Sequence, residues 1–264
     1  MAFLAALLMG VIEGLTEFLP ISSTGHLILL GDLIGFRGPP GKVFEISIQL
    51  GAILAVIIIY WRKLLDLALH CWRPGLQRYY VMNLGLAFLP AMVLGASLHK
   101  LITDVLFSPW VVSIALILGG IAIILIERKR PEPTIHSVPE MGPLAALLVG
   151  FGQALAMIPG TSRSGATIIT ALLIGVDRKV AAEFSFILAI PTMLAATAYS
   201  LFKARADLAL SGVGQIIIGF AAAFAVAFLV VRWLIGVVGR IGFTPFGWYR
   251  IGLGLLMLAV LVLR

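Results

Sequence analysis

Residues Glu13 to His26 read EGLTEFLPISSTGH, and residues Pro159 to Thr167 read PGTSRSGAT. These polar stretches interrupt a chain of 264 residues that is 61% hydrophobic and 12% charged, with a mean hydropathy of +1.11. Soluble domains carry about a quarter charged residues, so the composition specifies an integral membrane protein. Apolar runs near 2–19, 43–60, 80–98, 110–126, 143–158, 183–201, 211–231 and 249–263 approach the roughly 20 residues a helix needs to cross the hydrocarbon layer. None alternates as an outer-membrane strand does. The predicted fold is an all-α polytopic membrane protein with about six transmembrane helices.

The two polar stretches also break their helices. The run at 2–19 stops at Pro20 and resumes around Ser23 to end near Gly35; the run at 143–158 stops at Pro159 and resumes from about Ser164 to Ile174. Proline removes a donor and restrains the residue before it, so each pair reads as half-helix, polar turn, half-helix, a re-entrant element. Backbone freed at membrane depth must be buried in protein or line a wet cavity.

An ungapped offset of 140 aligns Gly10, Ser22, Gly25, Gly35 and Phe44 with Gly150, Ser162, Gly165, Gly175 and Phe184, among twelve identities. Two diverged copies are therefore expected within one membrane domain: about 1–126 and about 141–264, joined by a basic cytoplasmic loop at 127–142. Placing the basic stretches 61–78 and 127–142 in the cytoplasm sends helix 43–60 inward and its counterpart 183–201 outward, so the copies are inverted. Lys203 and Arg205 fall outside in this scheme. Inverted repeats with broken helices bring their polar loops together near the midplane.

The formal charge of +7 comes from residues scattered at the ends of apolar runs, such as Arg62, Lys63, Arg73, Arg78 and Arg128 to Arg130, which is an anchoring pattern and not a nucleic-acid surface. Cys71 is the only cysteine, which excludes an internal disulfide. No charged region precedes the first apolar run, so the N-terminus is expected to belong to the mature fold. No GxxxxGK[ST] segment supports nucleotide hydrolysis, and no cysteine and histidine spacing suggests a metal cluster.

Glu13 and Glu17 stand i, i+4, so their carboxylates share a helix face and can hold a cation together or divide acid and base work. Ser22, Ser23 and Thr24 open the next half-helix and Gly25 permits close approach, which makes an anion cradle or, more simply, a set of caps. His26 lies three residues after Ser23, within one helical turn, where it can take the serine's proton or protonate a leaving oxygen. In the second stretch, Arg163 among Ser162, Ser164 and Thr167 offers a planar fork suited to phosphate. A salt bridge from Arg163 to Glu13 or Glu17 is compatible with that role. Gln153 repeats Glu13, while Asp32, Glu45 and Glu183 fall near helix ends, where capping or solvation is the simpler role. Phosphoryl transfer on a lipid substrate fits the set. The competing class is a lipid or anion transporter or flippase, because inverted repeats with broken helices are transporter architecture. Ser23 beside His26 favours catalysis, since transport needs no activated nucleophile.

Both stretches resemble the undecaprenyl-diphosphatase family, known as BacA or UppP, the bacitracin resistance proteins. The resemblance extends through FEISIQLG at 44–51, FSFILAIP at 184–191 and FTPFGWYR at 243–250. It implies removal of the terminal phosphate of the C55 isoprenoid diphosphate, recycling the lipid carrier of peptidoglycan synthesis. By the same resemblance Glu17, Ser23, His26 and Arg163 are catalytic and Glu13, Ser162, Ser164 and Thr167 bind substrate, with Ser22, Thr24 and Gly25 added as the anion cradle read above. It further implies a divalent cation, Mg²⁺ or Ca²⁺, at Glu13 and Glu17, with no organic cofactor, and a site opening to the outer face of the bacterial cytoplasmic membrane. A homodimer is compatible with all of this.

Overall fold

A computed structural model describes residues 2–36, 43–101, 106, 108–203 and 212–263. Eleven α-helices follow one another: α1 (Ala2–Thr16), α2 (Ser23–Ile34), α3 (Val43–Ile59), α4 (Trp61–His70), α5 (Leu76–Leu101), α6 (Pro109–Lys129), α7 (Pro143–Leu155), α8 (Arg163–Leu173), α9 (Arg178–Lys203), α10 (Val213–Ile241) and α11 (Thr244–Leu263). Among the described residues five helices are long and apolar enough to cross a membrane, α5, α6, α9, α10 and α11. The count is six if α3 and α4, bent by 74° at their junction, form one span. The chain is an all-α polytopic membrane protein. Both predicted breaks are present, between α1 and α2 and between α7 and α8.

Several helices outrun the apolar runs that announced them. α9 starts at Arg178 and not near 183, and α10 continues past 231 through Arg232 and Arg240. Charged residues end an apolar run, but they do not end a helix whose long side chains reach the interface. The basic stretch after α3 is likewise helical, as α4.

Two close approaches show how the bundle is assembled. A Cβ on Gly10 of α1 would lie 2.3 Å from the Gly219 carbonyl of α10, and one on Gly150 of α7 would lie 2.6 Å from the Ala87 carbonyl of α5. Only glycine lets these backbones approach so closely. By chain order α7 corresponds to α1 and α5 to α10, so equivalent glycines serve equivalent contacts. α1 and α10 run parallel, with Gly10 at Gly219 and Gly14 at Ala223, and α7 and α5 also run parallel, with Gly150 at Ala87 and Met157 at Gly95. α6 and α11 pack antiparallel, Ser113 against Gly254 and Gly120 against Gly247. Counterparts that pack antiparallel are related by an axis lying across them.

The basic ends of the helices lie together. Arg178 at the start of α9 donates from Nε to Glu127 near the end of α6 at 2.7 Å and reaches the Gly239 carbonyl near the end of α10 at 3.4 Å. The connection between α6 and α7 is held in place. The amides of Thr134 and Ile135 donate to the Gly175 carbonyl at 2.9 and 3.0 Å, and buried Asn83 donates to the Val138 and Met141 carbonyls at 2.9 and 2.8 Å. Of the two charges expected on the opposite side, Lys203 ends α9, while Arg205 lies outside the described residues.

Candidate active site

The re-entrant elements meet inside the bundle, and the backbone marks where. Ser22 caps α2 with φ 69° and Ser162 caps α8 with φ 71°; they are the only non-glycine residues with positive φ among the described residues. They are also equivalent positions of the 140-residue offset. Such conformations cost about 1–3 kcal/mol each and persist where their surroundings over-determine them. At Ser162 part of that cost is offset by its hydroxyl, which accepts from the Gly165 amide at 3.2 Å, whereas Ser22 makes no side-chain cap bond.

Arg250 of α11 holds both turns. It is 1% exposed and donates to five backbone carbonyls: Thr161 at 2.8 Å and Pro20 at 3.4 Å from Nη1, Gly160 and Ala115 at 3.0 Å each from Nη2, and Leu116 at 3.3 Å from Nε. One guanidinium thus ties the first break, the second break and α6 together, and all five of its donors are used.

The candidate side chains converge on Glu17. Its Oε2 accepts from Ser23 Oγ at 2.6 Å, and its Oε1 accepts from Arg163 Nη2 at 3.3 Å, so a residue of each polar stretch meets the same carboxylate. Arg163 also donates from Nη1 to the Ser185 carbonyl at 3.0 Å, and its guanidinium lies over the Phe18 ring, 5.8 Å from the centroid. Ser164 donates to the Leu19 carbonyl at 2.9 Å and lies 3.1 Å from the Ser162 hydroxyl, while Thr167 and Ser185 pair hydroxyl to hydroxyl at 2.7 Å. Thr24 and Gly25 fill the first turn of α2, where Gly25 packs against Leu116 of α6.

Glu13 is fully buried, and neither of its carboxylate oxygens has a hydrogen-bond partner among the described residues; Arg163 Nε is also without one. A buried polar atom left unpaired costs about 1–3 kcal/mol, so the cluster has room for a further polar partner. The donor set at Glu13 and Glu17 is carboxylate oxygen, which suits a hard divalent cation whose remaining ligands are water and phosphate. Among the described residues no three His, Cys, Asp or Glu side chains cluster as a cage, so any cation here rests on those two carboxylates and on its own ligands.

One expected pair is not the bond that forms. Ser23 and His26 were expected to partner each other, but Ser23 donates to Glu17, which the preceding half-helix brings to it. His26 lies 2.8 Å from the Ser22 carbonyl through Nδ1 and 2.7 Å from the Tyr249 hydroxyl of α11 through Nε2, with the two rings stacked at 5.5 Å. A carbonyl only accepts, so the neutral imidazole carries its proton on Nδ1 and presents the Nε2 lone pair. Gln153 does not join the cluster: it donates to the Ala87 carbonyl at 3.4 Å and accepts from Thr192 at 3.2 Å, linking α7 to α5 and α9. Glu183, expected to cap or be solvated at a helix end, instead sits inside α9, which starts at Arg178, and pairs with Lys63. Reading the sequence missed Ser185, Tyr249 and Arg250. Arg250 had a usable signal, a guanidinium inside an apolar run, while Ser185 and Tyr249 are ordinary in such helices.

The sequence pattern of the family described as "Bacitracin resistance protein BacA" matches residues 6–256, almost the whole chain. The chain belongs to the BacA family. Curated relatives resemble it end to end. It is 54% identical to "Undecaprenyl-diphosphatase 2" of Paramagnetospirillum magneticum over 99% of this chain and 100% of that protein. It is 50% identical to "Undecaprenyl-diphosphatase" of Parvibaculum lavamentivorans, over 97% of this chain and 96% of the relative, and also 50% identical to that of Dechloromonas aromatica, over 97% and 93%. In this BacA family chain the buried cluster around Glu17 is thus the place to look for the chemistry those names describe.

Proposed function

We propose that this protein is an undecaprenyl-diphosphate phosphatase, which releases the terminal phosphate of the C55 isoprenoid diphosphate and returns the monophosphate carrier to peptidoglycan synthesis. Removing the diphosphate form is also how it confers bacitracin resistance. The carrying observation is the meeting at Glu17 of Ser23 from one polar stretch and Arg163 from the other. A site that only bound and released an anion would need Arg163 and the hydroxyls, but not a serine hydroxyl held 2.6 Å from a carboxylate.

In this reading the halves 1–126 and 141–264 each supply part of the site. Arg163, Ser162, Ser164 and the first amides of α8 hold the terminal phosphoryl oxygens, with Ser22, Thr24, Gly25 and Thr167 shaping the cradle. Ser23 Oγ attacks the terminal phosphorus in line as its proton passes to Glu17, and the bond to the bridging oxygen breaks, releasing the lipid monophosphate. Water then attacks the phosphoserine, giving its proton to His26 Nε2, and Ser23 leaves with the proton held by Glu17. A divalent cation held by Glu13 and Glu17 would neutralise charge on the diphosphate. The protein works as a multi-pass component of the bacterial cytoplasmic membrane, its site open to the outer face.

The test is phosphate release from undecaprenyl diphosphate in detergent, where no sealed membrane exists to support transport. Wild type releases phosphate, and His26→Ala and Arg163→Ala each lose a factor of about 10²–10³ in kcat/KM. Near wild-type turnover in both variants would sink the assignment, and binding without release by wild type would favour the flippase class. Acid quench with a slow substrate should trap phosphate on Ser23.

A further inference from the structure

A groove of about 590 Å³ opens between α1, α10 and α11, lined by Leu15, Leu19, Ile21, Leu229, Val230, Trp233, Pro245, Phe246 and Tyr249. Its size is that of a small-molecule site. Every lining side chain but one is wholly apolar or nearly so, and the exception is Tyr249, whose hydroxyl touches His26 Nε2. The groove also adjoins the polar cluster at the first break, where Leu19 and Ile21 flank Pro20 and the Leu19 carbonyl accepts from Ser164.

We infer that this groove seats the first isoprene units of the lipid diphosphate, and that Tyr249, which forms its wall, reports their arrival to His26. The inference rests on the phosphatase reading above. A diphosphate held at Arg163 must send its chain out of the protein, and this apolar exit begins beside the reacting groups. Its direction fits as well. Trp233 lies toward the basic end of α10, and Pro245 opens α11 directly after it, so a chain in the groove points that way and its head group faces the opposite side of the membrane. Tyr249 is half exposed, lines the groove, and donates to the Nε2 lone pair that the second step needs. A chain packing against the Tyr249 ring moves the hydroxyl off Nε2, and the base is freed only when a lipid is present. Tyr249 is therefore a positioning residue acting through His26, and the groove sets the preference for long chains.

The experiment compares phosphate release from undecaprenyl diphosphate and from dimethylallyl diphosphate, which has a single isoprene unit, by the full-length protein in detergent. Leu229→Trp fills the groove and should raise KM for the C55 substrate at least ten-fold, narrowing the preference for it over the C5 substrate. Tyr249→Phe should raise kcat on the C5 substrate several-fold, narrowing the ratio of C55 to C5 turnover. Leu118→Trp, on the exposed face of α6, is the control for a bulky residue at the lipid boundary. An unchanged C55 to C5 ratio in both Leu229→Trp and Tyr249→Phe overturns the inference while wild-type release upholds the phosphatase reading; no release from wild type overturns that reading instead. A benzophenone-tailed geranyl diphosphate gives a second measurement independent of turnover. Cross-links within 229–233 or 245–249 support the groove, and cross-links confined to α6 or α9 overturn it.

Discussion

Arg250 places a full charge in the membrane interior with its N–H groups spent on five backbone carbonyls, three of which belong to the two turns of the candidate site. Arg250→Met leaves up to five acceptors unpaired and should lower stability by at least ~3 kcal/mol, read as thermal unfolding in detergent. Arg250→Lys keeps the charge but not the five-way fan, so it should recover less than half of that loss. Glu13 presents the opposite case, a buried carboxylate with no hydrogen-bond partner on either oxygen among the described residues. Glu13→Gln should raise the Mg²⁺ concentration giving half-maximal phosphate release about ten-fold while thermal stability holds or rises, because an amide is cheaper to bury than an unpaired charge. An unaltered metal dependence would remove Glu13 from any cation site.

The two broken helices were legible because proline, glycine and clustered hydroxyls all fall at the same place in both copies. Their internal strain was not: φ 69° at Ser22 and φ 71° at Ser162 are imposed by what surrounds the turns. These serines differ in one respect that can be measured. Ser22→Gly removes the unfavourable φ and forfeits no cap bond, so it should stabilise the protein by about 1 kcal/mol after the entropy of glycine is counted. Ser162→Gly gives up the bond to the Gly165 amide and should be near neutral. Helix lengths were less legible than helix breaks, since arginines at 178, 232 and 240 close an apolar run without closing a helix. The partners of His26 were illegible for a further reason. Local spacing places Ser23 beside it, but Tyr249 arrives from α11, 223 residues away in sequence, and takes Nε2.

At the scale of the whole molecule, the proposed site belongs to neither half of the chain alone: Glu17 and Ser23 stand in the first and Arg163 in the second, 146 residues from Glu17. The inverted repeat expected from the sequence made their meeting predictable, because elements expected to enter from opposite sides should end near one another at the midplane. The identity of the shared carboxylate was not predictable, since Glu13 and Glu17 occupy the same helix face in sequence and only packing separates the paired one from the orphan. A double-mutant cycle across the halves tests whether the meeting is functional. Glu17→Gln and Arg163→Ala should each lower kcat/KM by about 10²–10³. If Glu17 and Arg163 act as one unit on the same phosphoryl group, the double variant should fall within ten-fold of the weaker single one, as residues acting together are strongly non-additive. Losses that instead multiply to about 10⁴–10⁶ would mean the two side chains act independently, and the ion pair between the halves would then be a packing contact and not part of the reaction.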